Sequence, residues 1–226
     1  MTAATTLVLI AKECIPGRVK TRLHPPFTLG QAATIASACL LDTLAAVAEL
    51  PARRRILYFD GAAVLAEADG WEVIAQPTGS MNRVGLDERI ASIFDLCEGP
   101  TALIGMDTPQ VSRELLAPVF EPWPSGVDAW FGPAHDGGFW ALALGEPRGD
   151  LICGGPIRGD LIRGVPMSRS DTGSIQRQRL LEAGLVVRDL PELVDIDTAD
   201  EVFTVAAALP ASRLAQAVRS IRIGVR

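Results

Sequence analysis

Residues 5–22 read TTLVLIAKECIPGRVKTR, an apolar run followed by a basic loop. Residues 5–11 form a short apolar run with β-branched members, which is typical of a strand buried on both faces. The loop that follows carries four cations, and its two lysines are the only ones among the 21 basic residues of the chain. A buried strand that runs directly into a basic loop predicts the first strand of a parallel sheet with a ligand site at its end.

The rest of the chain alternates strand patterns with helix patterns. Further strands are predicted at 55–59, 71–76, 101–105, 128–133, 139–144 and 185–190, and helices at 31–50, 86–96 and 175–183. Helix starts are marked by capping boxes at 28–31 and 198–201 and by Ser112. Because short connections join the two kinds of element, we predict an α/β fold: a mainly parallel sheet with helices on both faces, in one domain over 1–226.

The amino-acid composition argues against several classes of protein. The net charge of −6 argues against a broad basic face for nucleic acid. The four cysteines are widely spaced and form no C-x-x-C pair, which indicates reduced thiols and a cytoplasmic protein. The beginning of the sequence has no signal-peptide pattern, and no apolar run reaches the ~18 residues that suggest a membrane span.

The basic loop is the first candidate site. Pro16-Gly17 predicts a tight turn, and Lys12, Arg18, Lys20 and Arg22 supply charge for a di- or triphosphate. The loop contains neither a P-loop nor a G-x-G-x-x-G motif. On charge alone, these cations are explained equally well by a solvated surface loop. The position of the loop after the first strand favours a phosphate-binding site.

Two acidic segments are candidate metal sites. Asp107 follows a predicted buried strand, where a carboxylate suits Mg²⁺ or Mn²⁺ shared with substrate phosphates. Asp195 and Asp197 precede a capped helix, and Asp197 is a candidate second ligand. Each segment also has a structural explanation. Asp107 could accept hydrogen bonds from backbone amides in a turn. Asp195 and Asp197 could interact favourably with the dipole of the helix that follows them.

Two further loops follow strands. His135-Asp136-Gly137-Gly138 predicts a hairpin turn, with Asp136 or His135 facing an acceptor as the functional alternative. The polar loop 77–85 suits a base or ribose, which makes Gly79, Asn82 and Gly85 candidate nucleotide-binding residues; an ordinary connection is the alternative. The chain contains no Ser-His-Asp motif and no Cys/His metal cluster.

These segments together resemble the GT-A-type nucleotide-diphospho-sugar transferase superfamily. The nearest likeness is to bacterial glycosyltransferase-like proteins called radical-SAM/selenodomain-associated transferases; the guanylyltransferases of molybdenum-cofactor and 2-phospholactate metabolism are more distantly similar. The motifs that carry the resemblance are PGRVKTRL (16–23), LLDTL (40–44), GLDERI (85–90), LIGMDTP (103–109), FGPAHDGGFW (131–140) and VDIDTADEV (194–202).

The resemblance implies a Rossmann-like GT-A fold, nucleotide phosphates on the loop 16–22, and Mg²⁺ or Mn²⁺ at Asp107 with Asp197. Three motifs depart from the family pattern. Met106 and Thr108 flank Asp107 in place of Ser and Cys, His135 replaces a Glu, and Ala199 replaces a Pro. The second departure puts an acceptor contact in doubt, and the third alters the start of a helix.

Two reactions and a binding role fit these residues. In glycosyl transfer, an acceptor attacks the anomeric carbon of a nucleotide-sugar; in nucleotidyl transfer, a phosphorylated acceptor attacks the α-phosphate of a nucleoside triphosphate. Asp107, Lys20 and Asp136 are the candidate catalytic residues in either case. The partners expected are the nucleotide and a small-molecule acceptor, not nucleic acid. A nucleotide-binding module without turnover is the third alternative.

Overall fold

The computed structural model describes residues 5–62, 66–77, 84–145 and 158–223. Its centre is a seven-stranded sheet in the order β3-β2-β1-β4-β6-β5-β7. The strands are β1 Thr6–Lys12, β2 Arg54–Asp60, β3 Glu72–Ala75, β4 Thr101–Gly105, β5 Ala129–Pro133, β6 Phe139–Leu144 and β7 Val187–Asp189.

Within the described ranges, six α-helices surround this sheet. They are α1 Leu29–Ala48, α2 Leu86–Leu96, α3 Arg113–Phe120, α4 Thr172–Glu182, α5 Ala199–Ala208 and α6 Arg213–Ile223. Short 3₁₀ turns lie at Thr21–Leu23, Ala66–Ala68 and Arg158–Leu161. The predicted capping boxes are confirmed at Thr28 and Thr198, and Ser112 caps α3 as expected.

The sheet is mainly parallel, as predicted. β1 pairs in parallel with β2 and β4, β2 with β3, and β5 with β7, whereas β6 is antiparallel to both of its neighbours. The antiparallel β5–β6 pair confirms the hairpin predicted around 135–138. β7 is shorter than the predicted strand at 185–190, because its ladder with β5 covers only three residues.

Alternate residues of β1 build cores on opposite faces of the sheet. Leu7 and Leu9 join the core beneath α1 and α3, whereas Val8 joins the core beneath α2 and α4. This is why residues 5–11 read as a continuous apolar run: a strand covered on both faces has no polar side. The α/β architecture with helices on both faces is therefore confirmed.

The helix α1 is apolar enough to resemble a membrane span by length and composition. No such segment was expected from the sequence. More than half of its apolar window is buried inside the fold, at 56%. One side contributes Leu40 and Leu44 to the core under the sheet, and the other packs Ile35 and Cys39 against the C-terminal helices α5 and α6. Packing on two sides explains the composition of this helix.

Candidate active site

A cavity of about 670 Å³ opens at the carboxyl edge of the sheet. It is lined by the ends of β1 and β4, which are neighbours although the chain passes through β2 and β3 between them. The strand order reverses at this point, and such a switch point leaves a crevice outside the strand ends. The fold thus places a binding cavity where the sequence has its basic loop and Asp107.

The loop after β1 is held in place by two apolar side chains. Val19 is 2% exposed and Leu23 is fully buried, so both anchor the loop in the cores below. Lys20, between them, adopts a left-handed backbone conformation with φ 47° and ψ 39°. Its side chain is only 5% exposed.

The Lys20 ammonium bridges two of the predicted carboxylates. Its Nζ lies 3.1 Å from Asp107 Oδ2 and 3.1 Å from Asp197 Oδ1. Arg22, which is largely exposed, donates to the other oxygen of Asp197 at 2.5 Å. The structure therefore brings Lys20, Asp107 and Asp197 into one cluster, although they lie on separate parts of the chain.

Asp195 and Asp197 reach the cavity because the chain runs beside β5 after β7. Ala134 and Leu193 form a parallel bridge, and His135 N donates to the Leu193 oxygen at 2.9 Å. Beyond this bridge, Ile196 is fully buried against the C-terminal helices, whereas Asp195 and Asp197 line the cavity. The Asp-Ile-Asp alternation therefore directs the carboxylates away from the core.

The hairpin turn adds a third acid to this pair. Asp136 Oδ1 accepts from Gly138 N at 2.8 Å, which fixes the turn. One carboxylate oxygen from each of Asp136, Asp195 and Asp197 lies within 4.8 Å of the others. Asp107 lies outside this group of three and joins it through Lys20.

The close grouping of these acidic side chains with Lys20 shifts their pKa values. Burial raises the pKa of the Asp195 carboxyl to about 7; Lys20 opposes the rise, and Asp107, Asp197 and Asp136 add to it. Burial alone would raise the pKa of Asp197, but Lys20 and Arg22 outweigh it and lower that pKa. Burial likewise disfavours the charged form of Lys20, yet Asp107, Asp195 and Asp197 outweigh this effect and raise its pKa above the usual value. Lys20 is therefore firmly cationic.

Two buried oxygens just after β4 have no hydrogen-bond partner among the described residues: Asp107 Oδ1 and Thr108 Oγ1. A buried acceptor without a partner is costly, so it indicates a site that the described side chains do not complete. Carboxylate oxygens are the ligands that Mg²⁺ and Mn²⁺ prefer. The donor set therefore fits the metal predicted at Asp107.

The opposite end of the cavity is framed by Gln76 and Arg89. Gln76 follows β3 and donates from Nε2 to the oxygens of Ala11 and Tyr58, both at 2.8 Å. Its Oε1 accepts from Arg89 Nη1 at 2.9 Å. This network joins β1, β2 and α2 and forms a polar wall at the end of the cavity that is farthest along the sheet from Asp197.

Not all predicted residues line the cavity. Lys12 and Arg22 do, with Lys20, Asp107, Asp136 and Asp197. Gly17, Arg18 and Gly85 are not among the lining residues; Gly17 turns the loop with φ 78°, and Gly85 precedes α2 at its N-cap. Gly79 and Asn82 lie outside the described residues.

Sequence reasoning missed one part of the lining, residues 167–170 together with Thr172. This segment has no motif of its own; it lies beside the hairpin turn, where Gly137 packs against Ser170. The sequence also left open whether Asp195 or Asp197 is the second metal ligand. In the structure, both line the cavity.

Solved structures with the same fold include three whose descriptions concern nucleotides. A candidate nucleotide-diphospho-sugar transferase from Desulfovibrio desulfuricans G20 superposes with a TM-score of 0.77 and 24% identity, covering 96% of this chain and 94% of that one. A nucleotidyl transferase from Methanothermobacter thermautotroptrophicus gives 0.53 and 16%, covering 88% and 95%. A CMP:2-keto-3-deoxy-manno-octonic acid synthetase complexed with CTP gives 0.52 and 11%, covering 92% and 99%.

These likenesses establish the fold, at identities below 25%. No curated protein sequence matches the chain. A family profile matches residues 43–169, which is more than half of the 226 residues. The chain therefore belongs to the family described as "Uncharacterized protein conserved in bacteria (DUF2064)".

Proposed function

We propose that this protein is a metal-dependent transferase with a nucleotide-activated donor, and that the donor is a nucleotide-diphospho-sugar. The observation that carries the proposal is the buried Lys20 ammonium, held between Asp107 and Asp197 at the switch point of the sheet. A fully charged lysine at the floor of a large cavity supplies a counter-charge for phosphate. The name of the Desulfovibrio structure supports the sugar as the transferred group.

The diphosphate would bind over the loop after β1. Lys12, Lys20 and Arg22 all line this part of the cavity. Lysine offers a compact point charge and arginine a planar fork that binds phosphate through two hydrogen bonds, so the mixture suits a diphosphate with differently oriented oxygens. The nucleoside would extend towards Gln76 and Arg89, whose polar groups line the other end.

Asp107 and Asp197 would hold Mg²⁺ or Mn²⁺, with Asp195 beside Asp197. The oxygens of these side chains fit a hard divalent ion, and Asp107 Oδ2 and Asp197 Oδ1 already converge on one cation, the Lys20 ammonium. When bound, the ion would stabilise the negative charge that develops on the departing diphosphate. The protein's own side chains would supply the base and further stabilisation of the leaving group.

The transfer step needs a base on the acceptor side. The acceptor hydroxyl oxygen forms a bond to the anomeric carbon while the bond from that carbon to the diphosphate oxygen breaks, and its electron pair leaves with the nucleoside diphosphate. Asp136 would take the hydroxyl proton, because it is exposed in the turn and borders the same cavity. Lys20 and Arg22 would stabilise the leaving group.

Nucleotidyl transfer is the second candidate. Three of the cations that line the cavity, Lys12, Lys20 and Arg22, lie on the loop after β1 or at its start, and they suit the charge of a triphosphate and the pyrophosphate it would release. Two of the structures with this fold carry names of nucleotidyl-transferring enzymes. In this alternative, the acceptor phosphate attacks the α-phosphorus and pyrophosphate departs over the same loop.

Both candidate reactions can be tested by measuring the melting temperature of the protein with a panel of nucleoside triphosphates and nucleotide-sugars, in the presence of Mg²⁺ or Mn²⁺. A ligand that binds only the folded state raises the melting temperature. Stabilisation by nucleotide-sugars alone supports glycosyl transfer, and stabilisation by triphosphates alone supports nucleotidyl transfer. Product analysis then distinguishes a released nucleoside diphosphate from pyrophosphate.

Two variants test the site itself. Asp107→Ala should abolish the metal dependence of nucleotide binding, and Lys20→Ala should weaken that binding far more than Arg53→Ala, because Arg53 is exposed and remote from the cavity lining. Tight nucleotide binding that depends neither on metal nor on Asp107 would contradict both enzyme functions. The remaining alternative would then be a nucleotide-binding module without turnover.

A further inference from the structure

We propose that Lys20 is an internal cation that occupies the divalent-metal position, so that the metal binds only after nucleotide phosphates draw the Lys20 side chain away. This inference rests on the proposed nucleotide-dependent function. It adds to that function an order of binding: the nucleotide binds first, and its binding makes the metal site available. The juxtaposition that carries it is Lys20 Nζ between Asp107 Oδ2 and Asp197 Oδ1.

The first argument is steric. Lys20 Nζ lies 3.1 Å from each of the two carboxylate oxygens that would bind the metal. A Mg²⁺ ion needs oxygens at about 2.0–2.1 Å. An ion bridging Asp107 and Asp197 would therefore occupy the space that the ammonium fills, and the two cations cannot be present there together.

The second argument is that the ammonium is held in place. Buried Val19 and Leu23 fix the backbone on either side of Lys20, and the side chain is only 5% exposed. Both of its carboxylate partners are themselves partly shielded from water, with side chains 30% and 24% exposed. An ion pair in such surroundings is screened less than a surface pair, so the lysine competes effectively with a metal ion from solution.

The third argument concerns where the ammonium goes. Lys20 lines the cavity together with Lys12 and Arg22, so it can exchange its carboxylate partners for phosphate oxygens without leaving the site. A nucleotide brings negative charge to this loop and releases Asp107 Oδ2 and Asp197 Oδ1 from Lys20 at once, while Arg22 keeps its contact with Asp197 Oδ2. Binding of nucleotide and metal would then be positively coupled, each increasing the affinity of the other.

The test measures Mn²⁺ binding in the absence of nucleotide, by calorimetry or by the loss of the free-Mn²⁺ electron-spin signal. Lys20→Met removes the competing charge while keeping a long side chain, and we expect a gain in Mn²⁺ affinity of about tenfold, within the usual range of coupling factors. Arg53→Met is the matched control: it removes an exposed cation that does not line the cavity, so it should change Mn²⁺ affinity much less.

Lys20→Gln is the second variant; it is uncharged but keeps a hydrogen-bond donor, and it should show the same gain. Equal or weaker Mn²⁺ binding by whichever of the two variants folds would overturn the inference. The wild-type protein should bind Mn²⁺ more tightly once a nucleoside diphosphate is added, whereas the Lys20 variants should show a smaller increase.

The outcomes separate this inference from the function on which it rests. If a nucleoside diphosphate binds but the Lys20 variants gain no Mn²⁺ affinity, the inference fails and the proposed function stands. If no nucleotide binds under any condition, the proposed function fails, and the ordering of metal after nucleotide fails with it.

Discussion

Gly137 packs directly against Ser170, so that the hairpin turn between β5 and β6 contacts the segment before α4. A Cβ atom at Gly137 would overlap with the Ser170 carbonyl oxygen, and Gly173 N donates to the Gly137 oxygen at 2.8 Å. Gly137 also has φ 86°, a conformation that glycine adopts without strain. This contact fixes the turn that carries Asp136.

Gly137→Ala should therefore destabilise the protein and weaken ligand binding together. Gly70→Ala is the matched control, because Gly70 has φ 78° but open space around its Cα. The control should cost only the left-handed backbone penalty of about 1–2 kcal/mol. Thermal denaturation should show a larger loss for Gly137→Ala; equal losses would show that the Ser170 contact is unimportant.

The capping box at Thr198 supports the position of Asp197. Thr198 Oγ1 accepts from Glu201 N, and Glu201 Oε2 accepts from both Asp197 N and Thr198 N, at 2.8 and 2.6 Å. Thr198→Ala should lower the free energy of unfolding by about 1 kcal/mol. Thr28→Ala, in the equivalent box of α1, should cost a similar amount.

Only Thr198→Ala should also weaken Mn²⁺ and nucleotide binding, since it loosens the segment next to Asp197. Melting temperatures and titrations on both variants make the comparison. A loss of ligand affinity in Thr28→Ala of the same size would mean that general destabilisation, and not the position of Asp197, is responsible.

Local patterns made most of the fold predictable. The apolar run before Lys12, the capping boxes and the Asp-Gly turn depend on neighbouring residues, so the sequence carries their signal directly. The strand-end rule then located Asp107 at the correct edge of the sheet. The switch point between β1 and β4 follows from the strand order, which local patterns do not encode.

Side-chain partners across long separations were not predictable. Lys20 and Asp197 are 177 positions apart, and they meet only because residue 193 pairs beside Ala134. The sequence placed the basic loop and Asp107 near one another, yet gave no reason for an ammonium to lie between the two candidate ligands. That arrangement depends on the left-handed backbone at Lys20 and on the burial of Val19.

Gln76 offers a test of the polar wall at the other end of the cavity. Its amide donates to the oxygens of Ala11 and Tyr58 while only 5% exposed. In Gln76→Glu an ionised carboxylate can only accept, so it would face two carbonyl oxygens without a donor. The loss should be about 1–3 kcal/mol in the free energy of unfolding.

Chemical denaturation of Gln76→Glu, compared with Gln216→Glu on the exposed face of α6, measures this loss. The control changes the same amide to the same acid in water and should be close to neutral. A Gln76→Glu protein as stable as wild type would show that the amide donors are not needed to join β1 and β2 at this point.

The raised pKa of Asp195 predicts how stability depends on pH. Burial raises this pKa to about 7, above the usual value near 3.9 that the unfolded chain would have. Between these values, the folded protein keeps a proton that the unfolded chain has released, so stability should fall as pH rises through this window. Asp195→Asn removes the titrating group, and its stabilising effect relative to wild type should grow from pH 4.5 to pH 7.5.

Melting temperatures in chelator-treated buffer check this dependence, with each kcal/mol worth about 2–4 °C in a chain of this size. Asp69→Asn, at an exposed position outside the cavity lining, is the matched control for replacing one carboxyl by an amide. A constant difference between Asp195→Asn and wild type would mean that Asp195 is ionised throughout, and that Lys20 compensates its charge more completely than burial disfavours it.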